Sequence, residues 1–455
     1  MSLDNLPVEW LKSSFANLND YRANNFNPLK NDETYYELYS VPIFPQGYPE
    51  ILQANEIGSS KQIVEKNDVL LCKINPRINR VWQVSKYTDY LNIASSEWIV
   101  FRQCNVVPNF YRYYFQSLEF RNLLCANVSG VGGSLTRAQP KHVATYDLPV
   151  PPLAEQQEIV RQLDVMLAQV EQIKARLDAI PTILKKFRQS VLADAVSGKL
   201  TEEWREQNNL PLANIEKLER VVDSSFYGPR FSKDDYTDDL QNGIPTIRTT
   251  DMSDGKIIVT PTTPRIIVPP EKIEQFKVKP SDLLITRTGS IGVMALVREE
   301  YLAIPSAYLI RFRFKQNLVS SDYIYYALTS PNGQNQMGLS TTAITQPNIN
   351  ANSIRALEIY LPSIEEQKEI VKRVDTLFGY AARIEETIQS AQKRLNLLTQ
   401  SILAKAFSGE LTAEWREQHQ ELITGINSAE SLLAKIQEER EASKPVKKTR
   451  KKKEA

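Results

Sequence analysis

Two stretches of the chain carry apolar residues at alternating steps of four and three, the spacing of a long helix with one apolar face. In the first stretch these residues are Ile159, Leu163, Met166, Val170, Ile173, Leu177, Ile180, Leu184, Phe187 and Val191. In the second they are Ile370, Val374, Leu377, Ala381, Ile384, Ile388, Ala391, Leu395, Leu398 and Ile402. We therefore predict two coiled-coil-like helices. Each apolar face packs on its own domain or on the other helix, and duplication favours mutual antiparallel packing about a pseudo-twofold axis.

Both helical stretches belong to an internal repeat with a constant offset of 211 residues. Residues 153–207 and 364–418 align without a gap and are identical at 22 of 55 positions. The clearest blocks are EQQEIV against EQKEIV near the start and SGKLTEEWREQ against SGELTAEWREQ at the end. A period of this length excludes a solenoid of short repeats and indicates a duplicated two-domain unit.

Local signals mark where each helix begins and ends. Pro151–Pro152 precede the first helix, and Ser363-x-x-Glu366 has the pattern of a capping box at the start of the second. Gly198 and Gly409 fit the left-handed position just after a helix C-terminus. Pro181 lies inside the first apolar pattern and is expected to kink or break that helix.

The segments before the repeats have a different character, with many Tyr, Asn, Thr and Pro residues and short β-like runs. These runs are Asp68–Leu71, Ile99–Arg102, Asp282–Thr286 and Tyr308–Phe314. We expect an α+β (mixed α/β) fold with globular domains at 1–152 and 208–363, helical spacers at 153–207 and 364–418, and a C-terminal helix with a basic disordered tail at 419–455. NDVLLCK (67–73) corresponds loosely to SDLLITR (281–287), and EWIVFR (97–102) to AYLIRF (307–312). This divergence suits two domains of one fold that bind different targets.

Charge is informative only through its distribution, because the formal net charge is +1. Residues 1–65 carry 4 basic and 9 acidic side chains, whereas 66–141 carry 10 and 4, and 241–315 carry 11 and 7. The segment Lys444–Lys453 holds seven basic residues in ten. These regions are compatible with phosphate binding, and the lysine-rich tail is expected to be disordered.

Several classes of protein are not indicated. No run approaches 18 consecutive apolar residues, so we expect no transmembrane helix, and the first residues show no secretory signal. Cys72, Cys104 and Cys125 are scattered, and we expect buried reduced thiols in a cytoplasmic protein, with a disulfide or a metal site as the alternative.

Catalytic and cofactor motifs are also missing. The sequence has no G-x-x-x-x-G-K-[ST] loop, no G-x-S-x-G, no zinc spacing and no N-P-P-aromatic segment for a flipped adenine. His142 and His419 are its two histidines. Ser129–Ser134 (SGVGGS) superficially resembles a phosphate cradle, but no convincing strand precedes it and no helix follows, so we interpret it as a turn. We expect no catalytic residue, no metal and no cofactor in this chain.

Candidate nucleic-acid contacts are polar side chains on loops that follow predicted strands. Arg and Lys suit guanine, Asn and Gln suit adenine, and Ser and Thr serve bases or phosphates. In the first domain the candidates are Lys73, Asn75, Arg77, Asn79, Arg80, Arg137, Gln139 and Lys141. In the second they are Tyr227, Arg230, Lys233, Arg248, Arg287, Thr288, Ser290, Thr345, Gln346 and Asn348. For each of them an ordinary solvated surface role is the alternative.

The arrangement resembles the specificity subunit of type I restriction–modification enzymes, the HsdS family. The resemblance is carried by LPVPPLAEQQEIV (148–160), LPSIEEQKEIV (361–371), the heptads that follow, and both SG-x-LT-x-EWREQ endings, and it covers essentially the whole chain. It implies two α/β target-recognition domains, each reading one half of an asymmetric bipartite site in double-stranded DNA, on antiparallel helices that set the spacer. It also implies two methylation subunits, which methylate adenine N6 with S-adenosylmethionine, and two restriction or motor subunits that use ATP and Mg²⁺.

The helix length makes the spacer idea physical. A helix over Glu155–Ile180 would be about 39 Å long, and one turn of B-DNA is about 34–36 Å. A frame of that length would hold two readers about one turn apart. Two other interpretations stay open: an undetected nuclease or methyltransferase, and a coiled-coil interaction scaffold without DNA specificity.

Overall fold

A computed structural model describes residues 6–30, 34–129, 136–288, 291–300, 302–339 and 349–442. The chain divides into two compact units. Unit 1 comprises Met1–Arg176 and Ala391–Ala455, and unit 2 comprises Leu177–Ser390. Each unit therefore contains one globular domain together with part of both long helices.

The globular domain of unit 1 is built on mixed and antiparallel sheets. Its largest sheet has the strand order Asn25–Phe26, Lys61–Ile63, Leu91–Ser95, Tyr35–Tyr39, Glu50–Gln53, and the Tyr35–Tyr39/Leu91–Ser95 pair is parallel. A second sheet has the order Val81–Gln83, Val69–Cys72, Trp98–Phe101. Two further pairs are Leu11–Ser14 with Asp147–Val150 and Val128–Ser129 with Arg137–Ala138. The helices are Phe15–Leu18, Pro108–Gln116, Leu118–Ala126 and Pro140–Val143, with Ala413–Gln418 and Ala429–Ala442 from the C-terminal part of the chain.

An aromatic core fastens this domain to the helices. The ring of Phe101 lies 4.9 Å from that of Tyr111, centroid to centroid. Phe110 and Tyr114, on the same helix as Tyr111, lie 5.4 and 5.2 Å from Phe407 at the end of the second long helix. The dense aromatic run FYRYYF thus serves both the domain core and the contact with the scaffold.

Unit 2 repeats this plan with different details. One sheet has the strand order Val222–Tyr227, Leu309–Phe314, Leu283–Thr286, Met294–Leu296, and it is antiparallel. Another has the order Tyr236–Thr237, Arg265–Ile266, Ile244–Ile247, Ile304–Pro305, whose last pair is parallel. The short pairs are Ile215–Lys217 with Glu358–Tyr360 and Met252–Ser253 with Lys256–Ile257. The helices of the globular part are Glu202–Gln207, Pro270–Phe276, Ser321–Thr329, Pro331–Gln336 and Ala351–Arg355.

Each domain contains a buried aspartate clamped by an arginine that lies within the neighbouring strand (Arg313) or directly after it (Arg102). Arg102 donates two hydrogen bonds of 2.7 Å to Asp68, and Arg313 donates bonds of 2.7 and 2.8 Å to Asp282. Burial raises the pKa of Asp68, and the hydrogen bonds from Arg102 oppose that shift. Arg102 is therefore equivalent to Arg313, so the expected match of EWIVFR with AYLIRF is wrong by one residue.

The α+β class and all four predicted strands are confirmed, with shifts of one residue at their ends. The long helices cover Leu153–Val196 and Ile364–Phe407, 44 residues each. The predicted domain boundaries stay predictions.

The first long helix continues through Pro181, so a break there is the wrong expectation. Pro181 is exposed, and because proline has no N–H, the carbonyl four residues earlier loses its partner within the helix. At about 1.5 Å per residue each helix is about 66 Å long. The 39 Å strut expected from Glu155–Ile180 is therefore too short.

Within unit 2 the two helices pack in opposite directions. Val191 and Ala195 share a core with Ile370 and Val374, whereas Leu184, further back on the first helix, clusters with residues further along the second, Ala381 and Ile388. Arg188 adds an ion pair of 2.7 Å to Glu385. The predicted antiparallel packing of the two helices on each other is therefore confirmed for the parts of both helices that belong to unit 2.

The apolar face is only partly buried. Ile173 and its repeat equivalent Ile384 are 47% and 46% exposed, and Phe187 and its equivalent Leu398 are 37% and 49% exposed. The equivalent positions in both copies thus leave apolar surface open on the helices.

A buried carboxylate seals the start of the first long helix in unit 1. Glu155 accepts hydrogen bonds from the Thr412 hydroxyl (2.6 Å), the Arg416 guanidinium (3.0 Å) and the Trp10 indole N–H (2.8 Å). Arg416 also donates to the carbonyl of Gly409. Gly409 has φ +78°, as predicted for a residue after a helix end.

Unit 2 contains the same arrangement with the repeats exchanged. Glu366 accepts from the Thr201 hydroxyl (2.7 Å) and from Arg205 (2.8 Å), and Arg205 donates to the carbonyl of Gly198 (2.8 Å). Gly198 has φ +76°. Ser363 caps the Glu366 N–H at 3.3 Å as expected, but the Glu366 carboxylate is engaged by the end of the other repeat. In both units, therefore, the start of one repeat is closed by the end of the other.

The glutamine after each of these glutamates docks the helix onto its domain. The Gln156 amide oxygen accepts from the backbone N–H of Val107 at 3.0 Å, and that of Gln367 accepts from the N–H of Ser320 at 2.8 Å. In each repeat the glutamate therefore binds the end of the other repeat, and the glutamine that follows it attaches the helix to its domain.

The cysteines are free: Cys72 is buried, Cys125 is intermediate and Cys104 is exposed, so the expectation of buried thiols is wrong for Cys104. Of the helices in the described ranges, none is long and apolar enough to cross a membrane. Across the same residues, no cluster of three His, Cys, Asp or Glu side chains is arranged to hold a metal ion.

Candidate nucleic-acid interface

In unit 1 the predicted loop begins where the central strand Val69–Cys72 ends. The backbone N–H of Lys73 donates to the carbonyl of Glu97 (2.9 Å), and the carbonyl of Lys73 accepts from Ala138 (2.9 Å). The loop is therefore pinned between the start of one strand and the short strand Arg137–Ala138.

A tight turn shapes the rest of this loop. Asn75 and Asn79 flank the 3₁₀ turn Pro76–Ile78, and both adopt left-handed backbone, with φ of 49° and 52°. Asn tolerates this region better than most residues. The Asn75 N–H donates to the carbonyl of Thr136 at 2.9 Å, but the side-chain oxygens of Asn75 and Asn79 are buried without a hydrogen-bond partner among the described residues. The asparagines thus shape the loop more than they present their amide oxygens.

The cations of this loop have different surroundings. Arg77 is exposed. Burial raises the pKa of the Cys125 thiol, and the positive charges of Arg121 and, to a smaller extent, Arg77 oppose that shift. Arg80 donates to the carbonyl of Ile74 at 3.3 Å and so braces the loop. Arg137, 53% exposed, pairs with Glu97 at 3.3 Å.

The structure therefore brings Lys73, Asn75, Arg80 and Arg137 together. Gln139 precedes the helix Pro140–Val143, whose Lys141 is exposed. The glycine-rich segment 129–134, interpreted above as a turn, lies mostly outside the described residues.

In unit 2 two predicted residues meet at the end of the sheet. Tyr227 ends the strand Val222–Tyr227, and Arg287 follows the strand Leu283–Thr286. The guanidinium carbon of Arg287 lies 4.7 Å from the centroid of the Tyr227 ring. The Tyr227 hydroxyl accepts from the backbone N–H of Ala351 at 3.0 Å. Thr288 comes next, and its hydroxyl oxygen is buried without a partner in the described part of the chain.

The other candidates of this domain are not gathered there. Arg248 is tied to Asp251 by two bonds of 3.1 Å; burial raises the pKa of Asp251, but the hydrogen bonds from Arg248 and Thr263 outweigh it and lower that pKa overall. Arg230 and Lys233 are exposed on the segment after Tyr227. Four candidates lie outside the described residues: Ser290, Thr345, Gln346 and Asn348.

Two residues at these strand ends were missed by the sequence analysis. The carbonyl of Tyr308 accepts from the N–H of Arg287 (3.0 Å), just as that of Glu97 accepts from Lys73. Tyr308 is 61% exposed. Glu97 and Tyr308 immediately precede the observed strands Trp98–Phe101 and Leu309–Phe314, which pair with the strands that bear the loops. The available signal was that both residues lie at the start of, or close to, a predicted strand.

The sequence profile described as "Type I restriction modification DNA specificity domain" matches twice, over residues 11–182 and 215–392. The chain belongs to this family of type I specificity subunits. The double match corresponds to the two domains with their repeat helices.

Individual members of the family are similar over most of their length. The Type I restriction enzyme EcoBI specificity subunit of Escherichia coli is 37% identical over 349 residues, 73% of this chain and 74% of the relative. The EcoKI specificity subunit of Escherichia coli K12 is 37% identical over 367 residues, 76% of this chain and 75% of the relative. The MjaVIII specificity subunit of Methanocaldococcus jannaschii is 24% identical over 80% of this chain and 85% of its own.

Solved structures share the fold at lower identity. A chain from a study of complex assembly and conformational transition of the type I R-M system has a TM-score of 0.73 and 21% identity, over 88% of this chain and 98% of that one. The HsdS subunit from Thermoanaerobacter tengcongensis has a TM-score of 0.55 and 20% identity, over 89% of this chain and 98% of that one.

Proposed function

We propose that this specificity subunit recognises double-stranded DNA without catalysing a reaction, each domain reading one half of an asymmetric bipartite target. The observation that carries this proposal is the contrast between equivalent strand ends. Unit 1 presents Lys73 beside Glu97 and Arg137, whereas unit 2 presents Arg287 beside Tyr308 and Tyr227. One fold with two different sets of donors and acceptors suits two different half-sites.

The cations of these loops act at two levels. Contacts to phosphates fix the position of a protein on DNA, and contacts to base edges select the sequence. Arg77 and Lys141 suit phosphate contacts, because both are exposed cations at the surface of the domain. The pinned loop residue Lys73 and the stacked Arg287 suit base contacts.

We further propose that the long helices dock two methylation subunits. In unit 2 Ile183 and Phe187 are 60% and 37% exposed, and Tyr380 and Ile384 are 52% and 46% exposed. Each pair is four residues apart and so lies on one face of its helix. Exposed apolar surface of this kind marks interaction sites. S-adenosylmethionine would be held by those partners, and ATP and Mg²⁺ by two restriction or motor subunits.

DNA recognition is tested by adenine methylation and by direct binding. Adenines methylated in cells with the full complex, but not in cells without this chain, should define one bipartite motif. In binding assays, replacing Lys73 and Arg137 by Ala should weaken selective binding, whereas Lys435→Ala, an exposed cation on the C-terminal helix, should not. An unaltered methylation pattern without the chain would refute the proposal, and would leave the interaction scaffold as the better interpretation.

Docking is tested by copurification. The double variant Ile183→Ser and Phe187→Ser should lose the methylation subunits while it keeps its circular dichroism spectrum. Leu240→Ser removes an apolar residue from the globular domain whose exposure (54%) lies between those of Ile183 and Phe187, and it should have no effect. Equal copurification of both variants would contradict docking on the helices.

We also propose that the helices set the unread spacer of the target. A four-residue insertion into the first long helix should then change the number of bases between the two methylated half-sites. An unchanged spacer would reject this role.

A further inference from the structure

Arg287 is held by an aromatic ring, in contrast to several arginines of unit 2 that are held by carboxylates. Arg248, Arg298 and Arg313 each form an ion pair with a carboxylate, at 3.1, 2.5 and 2.7 Å. Arg287 instead lies over the ring of Tyr227 at 4.7 Å and forms no ion pair with any residue in the described ranges. Its position is therefore fixed by an aromatic face, which leaves the N–H edge of the guanidinium available.

The platform under Arg287 is itself fixed. Tyr227 is paired in its strand with Ile310, and its hydroxyl accepts from the N–H of Ala351 at the start of a helix. The backbone of Arg287 is held by the carbonyl of Tyr308. Both ends of the arginine side chain are thus positioned before any ligand arrives, which reduces the entropy lost on binding.

We propose that Arg287 reads a guanine in the half-target bound by the domain of unit 2, with Tyr227 as its positioning residue. This inference rests on the proposed function. A planar guanidinium donates two parallel hydrogen bonds to O6 and N7 of guanine in the major groove, and Arg also stacks on aromatic faces. Stacking uses the face of the group and leaves its edge for the base.

The equivalent place in unit 1 does not offer this chemistry. Lys73 occupies the position of Arg287, and the nearby Arg137 already pairs with the Glu97 carboxylate at 3.3 Å. A base would have to compete with that carboxylate. A guanine contact of this type is therefore expected in the half-target bound by unit 2 and not in the half bound by unit 1. The two halves of one target can thus be compared in the same experiment.

The test uses the full-length chain, alone and with its cognate methylation subunits, to select duplexes from a random-sequence library. The wild-type chain should enrich a bipartite sequence with a guanine in one half. Arg287→Lys keeps the charge but loses the planar pair of donors, so the preference for that guanine should fall roughly 5- to 150-fold. The other half should be unchanged, and the salt dependence should stay the same because the charge is kept.

Tyr227 is tested by a matched pair of variants. Tyr227→Ala removes the platform and should weaken the guanine preference in the same half, whereas Tyr227→Phe keeps the ring and should retain most of it. Circular dichroism checks that each variant is folded.

The outcomes separate the two proposals. Failure of the wild-type chain to enrich any sequence, alone or in complex, would overturn the proposed function and this inference with it. A wild-type motif that Arg287→Lys leaves unchanged, or whose two halves weaken equally, would overturn the inference alone. A loss in Arg287→Lys without any loss in Tyr227→Ala would remove the positioning role of Tyr227.

Discussion

The buried pair Arg205–Glu366 in unit 2 gives a quantitative prediction for the role of the repeat. The Arg205 side chain is 9% exposed and the Glu366 side chain 2% exposed, with the N–O contact at 2.8 Å. Arg205→Met removes the cation but leaves the carboxylate buried beside Thr201, which supplies one hydrogen bond of 2.7 Å. The perturbation therefore tests whether a charge without its partner is tolerated where the two repeats meet.

The expected magnitude follows from the geometry. At 2.8 Å and an effective dielectric constant of about 20, the direct attraction is about 6 kcal/mol. Desolvation cancels much of it, and removal of one partner from such a pair costs about 3–5 kcal/mol. A domain is stabilised by about 5–15 kcal/mol in total, so Arg205→Met should bring unit 2 close to unfolding.

Urea unfolding followed by circular dichroism, with hydrogen exchange of peptides from 197–207 and 358–370, measures this loss. The matched control is Lys277→Met, because Glu274 of that pair is 69% exposed; it should cost about 0–1 kcal/mol. The double variant Arg205→Met and Glu366→Met should recover much of the stability, since no charge is then left buried. If Arg205→Met costs no more than the control, the sealing role of the pair is refuted.

Three further predictions concern single residues of the scaffold. Gly198→Ala places a Cβ about 2.8 Å from a tyrosine hydroxyl at φ +76° and should destabilise by about 1–2 kcal/mol or more in thermal unfolding, whereas Gly58→Ala, which meets nothing within 4 Å, should not; equal melting temperatures would contradict this. Pro181→Ala restores a helix hydrogen bond and should stabilise by up to about 3 kcal/mol in urea unfolding, a prediction that unchanged stability would reject. Tyr326→Phe removes the hydroxyl that donates to Asp375 and should cost about 1.5–3 kcal/mol; a wild-type unfolding midpoint would show that this bond contributes nothing.

Much of the scaffold was predictable because its signals are local. Steps of four and three residues, together with Gly198 and Gly409, specify helices and their ends through neighbouring residues alone. The continuation through Pro181 was not predictable, because it depends on whether the affected turn faces water. The exposure of Ile173 and Ile384 was also not predictable, because an apolar heptad repeat does not show which of its positions are covered by another helix.

The candidate interface was predicted only in part for the same reason. Lys73 and Arg287 follow recognisable strands, and their positions could be read from the chain. The pairing of Arg137 with Glu97, and the stacking of Arg287 on Tyr227, join residues 40 or more positions apart. Such contacts depend on sheet order, which the short strands of these domains do not encode locally.

The exchanged seals also impose an order on synthesis. Glu366 meets Thr201 and Arg205, which the ribosome has already made, but Glu155 must wait for Thr412, 257 residues later. At about 5–20 residues per second this delay is about 10–50 s. Unit 1 contains the first part of the chain to be translated, but it can reach its final structure only after unit 2 has been synthesised. During that interval the Glu155 carboxylate must be solvated by water or covered by a chaperone.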